Sequence, residues 1–189
     1  VKIMQKCIRN GGQMATRIIK VTGIAEWAKV FADNRDLTGW KASAQVEGTY
    51  EKYDGACTIN MILDDASVAK LQTAGCAKGF KPDLEGRGQV VKFDRKFNTG
   101  YDWSSGAPIV TKEDGSTWHL DVDGPIGNGS TVEVTLNIYD LPNYGTVGTR
   151  LESVHVLDHV QYVRPQETDE LPPYTRKPEL VSTTDEVMF

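Results

Sequence analysis

Residues 131–139 (TVEVTLNIY) and 151–163 (LESVHVLDHVQYV) alternate apolar and polar side chains over several periods. Only an extended strand with one face buried places every second side chain on the same side. Further strand signals precede them. Residues 18–31 are rich in Ile, Val, Trp and Phe and read as a first strand, bent where Gly23 interrupts it. Residues 34–48 are polar and punctuated by Gly, so they read as loop. Residues 53–63 (YDGACTINMIL) form a second strand after an Asp54-Gly55 turn. Residues 89–97 (QVVKFDRKF) alternate, and 107–111 are a short strand. Turns fall at Asp114-Gly115, Asp123-Gly124-Pro125, Gly127-Asn128-Gly129-Ser130 and Asn143-Tyr144-Gly145.

One helix stands out among these strands. Asp64 or Asp65 caps it, ASVAKLQTA is its body, and Gly75 stops it. Val68, Leu71 and Ala74 share its apolar face. The order is therefore two strands, one short helix, then about four strands. A helix this small cannot cover both faces of a flat sheet, so the sheet must curl. A mainly β, five-stranded barrel of the OB type, capped by the helix, is the economical solution. The alternative is a β-sandwich binding module for carbohydrate or protein, using the Trp and Tyr residues.

The chain of 189 residues is long enough for one domain with a real core, and 39% of it is apolar against 25% charged. No apolar run approaches the ~20 residues that span a bilayer, so no membrane partner is expected. The three cysteines, Cys7, Cys57 and Cys76, lack metal-ligand spacing and read as reduced thiols. Residues 1–13 show no period and carry three bases and no acid. Gly11-Gly12-Gln13 before Met14 can be written as a purine-rich ribosome-binding sequence. Met14 then reads as the natural start and 1–13 as a leader or non-native extension. The domain is expected over 14–164. Residues 165–189 contain four prolines and six acids against two bases, and read as a flexible acidic tail.

With a net charge of −5, any nucleic-acid site must be a local patch. Residues 78–97 supply one. Lys78, Lys81, Arg87, Lys92, Arg95 and Lys96 stand there against Asp83, Glu85 and Asp94, with Phe80, Phe93 and Phe97 interleaved. Single-stranded DNA exposes phosphates and base faces together, so its binder needs cations along a groove and rings for stacking. In a strand, Phe93, Arg95 and Phe97 share one face, and Lys92, Asp94 and Lys96 the other. Tyr50 and Tyr53 beside Lys52, and Tyr101 with Trp103 in a Gly/Ser-rich loop, are the further rings expected near a ligand. Trp27 and Tyr162 lie in apolar alternation and read as core. His155 and His159 read as solvent-exposed. His119, Asp121 and Asp123 alternate and would put three metal-capable side chains together on a strand, the basis for a metal-dependent nuclease as a weaker alternative. No nucleophile elbow or phosphate-cradling glycine loop is present, so no catalytic residue and no cofactor is expected.

The run Ile126-Gly127-Asn128-Gly129-Ser130, then Val132-Glu133-Val134, Ile138-Tyr139-Asp140, Gly148-Thr149-Arg150-Leu151-Glu152-Ser153-Val154 and Val160-Gln161-Tyr162 resembles the single-stranded DNA-binding proteins of tailed bacteriophages. Trp27-Ala28-Lys29-Val30-Phe31 and the stretch from Tyr53 to Leu63-Asp64-Asp65 look similar too, so the resemblance spans about 16–163. It implies an OB-fold that coats and protects single strands without sequence preference in phage replication, recombination and repair, in the cytoplasm of the infected bacterial host. Podovirus members end in an acidic tail with a terminal Phe that contacts the replicative DNA polymerase and the primase-helicase. Asp185, Glu186 and Phe189 match that tail, whereas Val187 and Met188 depart from it. A homodimer is a further expected partner state. A tethered polyanion of this kind would also compete with DNA for a cationic groove.

Overall fold

The computed structural model describes residues 16–38, 54–141 and 145–162. Its elements are β1 (Thr16–Lys29), β2 (Ala56–Leu63), α1 (Asp65–Thr73), β3 (Lys81–Pro82), β4 (Gln89–Lys96), β5 (Ile109–Thr111), α2 (Leu120–Asp123), β6 (Ser130–Leu141) and β7 (Thr146–Asp158). The strands form one sheet in the order β3-β4-β2-β1-β6-β7-β5. A single sheet leaves no place for the two packed layers of a sandwich.

The five long strands carry the architecture. β1 pairs with β6 over Thr16–Ala25 and with β2 from Ile24 onward, so one long strand serves two neighbours by bending. Gly23 permits the bend: a Cβ there would lie 2.5 Å from the Ile62 carbonyl oxygen and 2.7 Å from a Leu63 methyl. The bend carries the sheet round until β4 comes alongside β7. The resulting neighbour order of β1, β2, β4, β7 and β6 is that of an OB barrel. The barrel differs from the expected closed one at this seam. Among the described residues no ladder pairs β4 with β7. Arg95 bridges the gap instead, donating from Nη1 to the Leu151 carbonyl (3.3 Å) and to Glu152 Oε2 (2.6 Å). The two short strands β3 and β5 extend the open edges.

Alternation places the core where the sequence expects it. Val132, Val134, Leu136 and Ile138 of β6 all point inward, against Ile59, Met61, Phe93 and Leu151. The polar set Glu133, Thr135 and Asn137 lies on the outer face. The helix also forms as expected. The Asp64 carboxylate accepts from the Ser67 N–H (2.8 Å), which holds its pKa below the usual value, and Gly75 ends the helix at φ 83°. Val68 and Leu71 are buried in the same hydrophobic core as the strands.

The Ile126–Ser130 run is a clamp. Gly127 passes so close to the 160–162 segment that a Cβ would lie 2.3 Å from the Val160 carbonyl oxygen. Gly129 N–H donates to the Ala25 carbonyl (3.0 Å), and Ser130 Oγ donates to the Gly127 carbonyl (2.7 Å) and accepts from Val160 N–H (3.0 Å). Several expectations are corrected here. Trp27 and Tyr162 are exposed, at 67% and 50%, rather than core. Residues 120–123 form a helical turn, not a strand, so His119, Asp121 and Asp123 do not share a strand face. His119 N–H and Lys112 bind the Asp123 carboxylate instead (2.8 and 2.7 Å), and among the described residues no metal-capable cluster forms. His155 and His159 are half-buried, against Thr111 Oγ1 (2.9 Å) and the edge of Trp118.

Candidate nucleic-acid interface

In an OB barrel the outward face of the second and third long strands, here β2 and β4, is the usual platform for an oligonucleotide. Register defines what stands on it. Ala56, Thr58 and Asn60 of β2 lie opposite Lys96, Asp94 and Lys92 of β4, with Ala56 and Thr58 buried and Asn60 half-buried. On the other side of β2, Lys29 and Glu26 of β1 lie opposite Thr58 and Asn60. Lys92 and Lys96 are exposed on this face, as is Lys29.

The alternate residues of β4 go inward, and two expected DNA contacts go with them. Phe93 is fully buried in the core and has no face to offer a base. Arg95 is also buried. Besides Leu151 and Glu152 it donates to the carbonyls of Gly106 (2.8 Å) and Ser105 (3.2 Å), so the seam and the 105–106 loop together engage all three guanidinium nitrogens. A strand whose inward face meets an open seam can bury an arginine, because the unpaired carbonyls there need donors. Phe97 is half-buried, with the Arg35 guanidinium 4.4 Å above its ring.

The remaining cations differ in how free they are. Arg87 lies among Asp83 (2.9 Å), Glu26 (2.9 Å) and Glu85 (3.2 Å), and hydrogen bonding to Asp83 and Glu26 pushes its pKa up. Lys78 pairs with Asp94. Asp36 stands between two lysines, 3.8 Å from Lys29 Nζ and 3.6 Å from Lys92 Nζ. Hydrogen bonds from Thr38, assisted by both lysines, hold its carboxyl below the usual range. Lys81 and Lys96 are exposed and have no ion pair among the described residues.

Beyond Lys96 the chain enters the loop that carries Tyr101 and Trp103. Both rings are exposed, at 64% and 72%, and their centroids lie 6.0 Å apart. The loop is internally braced. The Tyr101 carbonyl accepts from Ser104 N–H (3.1 Å), Ser105 N–H (3.0 Å) and Ser105 Oγ (2.7 Å), and Gly106 N–H closes onto the Phe97 carbonyl (2.8 Å). Arg150 approaches the Trp103 ring at 5.4 Å and is itself held by Glu152 (2.7 Å). Burial pushes the Glu152 carboxyl up, but Arg150, Asn137 and Arg95 outweigh it and hold it below the usual value. The chain Arg95–Glu152–Arg150–Trp103 thus connects the buried seam to the exposed rings. Beside the loop opens a cavity of about 500 Å³, lined by Asp54, Phe97, Asn98, Tyr101 and Asp102 among others.

The structure therefore leaves Lys92, Lys96, Tyr101 and Trp103 exposed, the two rings in the loop that follows β4, and withdraws Phe93 and Arg95. Tyr50, Lys52 and Tyr53, and the tail residues Asp185, Glu186 and Phe189, lie outside the described residues. Sequence reasoning missed Lys29, Asp36 and Arg150. The spacing of Arg150 and Glu152 on one strand face was the only available signal for the last.

No protein-family model matches the chain, and no curated protein matches it. Solved structures do. Among the solved structures it is similar to are single-stranded DNA-binding proteins of bacteriophages. One is gp2.5, encoded by bacteriophage T7, at 15% identity and a TM-score of 0.47, covering 79% of this chain and 98% of that one. Another is the single-stranded DNA-binding protein of bacteriophage Enc34. Its C-terminal truncation matches at 11% identity and a TM-score of 0.48, covering 77% and 88%. Its complex with single-stranded DNA matches at 13% and 0.46, covering 79% and 89%.

Proposed function

We propose that this chain binds single-stranded DNA across the outward face of β2 and β4. The observation that carries this reading is the braced, exposed Tyr101–Trp103 pair in the loop that directly follows β4, the strand that presents Lys92 and Lys96 to solvent. Rings left in water contribute little to folding, whereas an unpaired base stacking on one contributes roughly 1–3 kcal/mol. A duplex presents the same phosphates but hides its base faces, so the rings select single strands. Stacking uses the π-face that every base has, so binding is without sequence preference.

The chain then acts as a binding protein rather than an enzyme. It coats and protects single strands during phage replication, recombination and repair in the cytoplasm of the infected host. Its tail, with Asp185, Glu186 and Phe189, is free for the replicative polymerase and primase-helicase, and two copies associate as a homodimer. Fluorescence anisotropy with a labelled oligonucleotide, free and annealed to its complement, tests the core of this reading. The single strand should bind more tightly, with log affinity falling linearly in log salt. Equal affinity for both forms, or none for the single strand, would sink it.

A further inference from the structure

β1 breaks its own alternation at one place. Glu26 lies opposite Asn60 and Lys29 opposite Thr58, so three steps along β1 match two along β2. This is a bulge with one extra residue. Trp27 sits in it at φ 51°, the only non-glycine residue with positive φ among the described residues. Bulky L side chains rarely adopt this conformation, and glycine would adopt it freely. The Trp27 N–H is held by Asn128 Oδ1 at 2.8 Å, which supports the bulge from the Ile126–Ser130 clamp. Yet the indole is 67% exposed, so core packing does not offset the strain. A strained position that keeps a large ring in water points to a use for the ring outside the fold.

The neighbours say what use. Glu26 on one side pairs with Arg87, and Lys29 on the other approaches Asp36, which also holds Lys92. Glu26 and Lys92 flank the same residue of β2, Asn60, so Trp27 is set about two strand spacings, ~10 Å, from the β4 lysine row. We infer that Trp27 is a second stacking platform for an unpaired base, on the β1 side of the face, separate from the Tyr101–Trp103 pair. The inference rests on the single-strand-binding reading given above.

Three full-length variants test it: Trp27→Gly, Trp27→Asn and Trp27→Phe, each measured for oligonucleotide affinity and melting temperature. Gly and Asn both tolerate the left-handed backbone. They should melt at or above wild type while binding roughly five- to hundred-fold more weakly, the range for one lost base stack. Phe keeps a ring and should retain most of the affinity. Wild-type affinity in the Gly and Asn variants would overturn the inference while leaving the parent reading intact. A fall in melting temperature with unchanged affinity would do the same and make the ring structural. A wild-type chain that binds no single strand would remove the parent reading first, and this one with it.

Discussion

Replacing Asp36 with Asn should tighten single-stranded DNA binding, and the geometry sets the size. The carboxylate lies 3.8 Å from Lys29 Nζ and 3.6 Å from Lys92 Nζ. A DNA phosphate that uses both lysines must come close to the same place. Two like charges about 5 Å apart repel by roughly 0.8 kcal/mol in water. Both lysine side chains are about half exposed, at 48% and 56%, so the water-like value applies better than a buried one. Removing the carboxylate charge is then worth about a fourfold gain in affinity at low salt. It also leaves one more unit of positive charge for the DNA, so the slope of log affinity on log salt should steepen by roughly 0.7. Asn is the right replacement because its oxygen can still accept from the Thr38 N–H, which Asp36 Oδ1 does at 3.1 Å. The fold should therefore hold, and a melting curve checks that. The same Thr38 bonds keep the acid ionised across the physiological pH range, so a mutation, not a pH change, is the way to release the lysines. Anisotropy titrations at four or five potassium chloride concentrations measure both quantities. A variant with wild-type affinity and wild-type slope would refute the idea that Asp36 competes with phosphate.

Four further outcomes are expected. Phe93→Ala should destabilise by about 3–5 kcal/mol, as a fully buried ring does, without changing the affinity of the folded fraction; urea denaturation beside a binding curve would show otherwise. Arg95→Ala should cost a similar ~3–5 kcal/mol, because it leaves three backbone carbonyls without this donor, at about 1–3 kcal/mol for each that stays buried and unpaired, and takes one of its donors from Glu152, which Arg150 still holds, and a denaturation loss under about 1 kcal/mol would contradict the bridging role. The Glu152 carboxyl is held below its usual 4.5, so its contribution to stability is present above that pH and is lost as pH falls through the lowered value; Glu152→Gln should flatten this acid limb in melting temperatures taken from pH 6 down to pH 3. Burial pushes the Cys57 thiol up to about 11, so iodoacetamide at pH 8 should leave it unlabelled in the native protein and label it after denaturation, read by peptide mass spectrometry.

Much of the strand framework could be read from side-chain period alone. The alternation of Val132, Val134, Leu136 and Ile138 placed β6 with the correct face inward. Asp64 and Gly75 bounded the helix because capping and the left-handed stop are local events, settled within four residues. Barrel curvature was also implied, since one short helix could not cover a flat sheet.

Which face of β4 meets water was not a local matter. Hydropathy favours the Val91–Phe93 face as the inner one, but Arg95 stands on that face too, and nothing near it in the chain shows how an arginine could be buried there. The partner strands chose: β2 sets Phe93 against the core, and the unladdered seam with β7 supplies the carbonyls and the Glu152 carboxylate that let Arg95 be buried. Trp27 shows the same limit. Strict alternation assigns it to the core, but one extra residue in the ladder shifts the register and turns it out. Period and capping depend on near neighbours in the chain and were determined by the sequence itself. The inward and outward assignment of Phe93, Arg95 and Trp27, and hence the surface offered to DNA, depends on hydrogen bonds between strands 30 to 100 residues apart, and only the tertiary structure decided it.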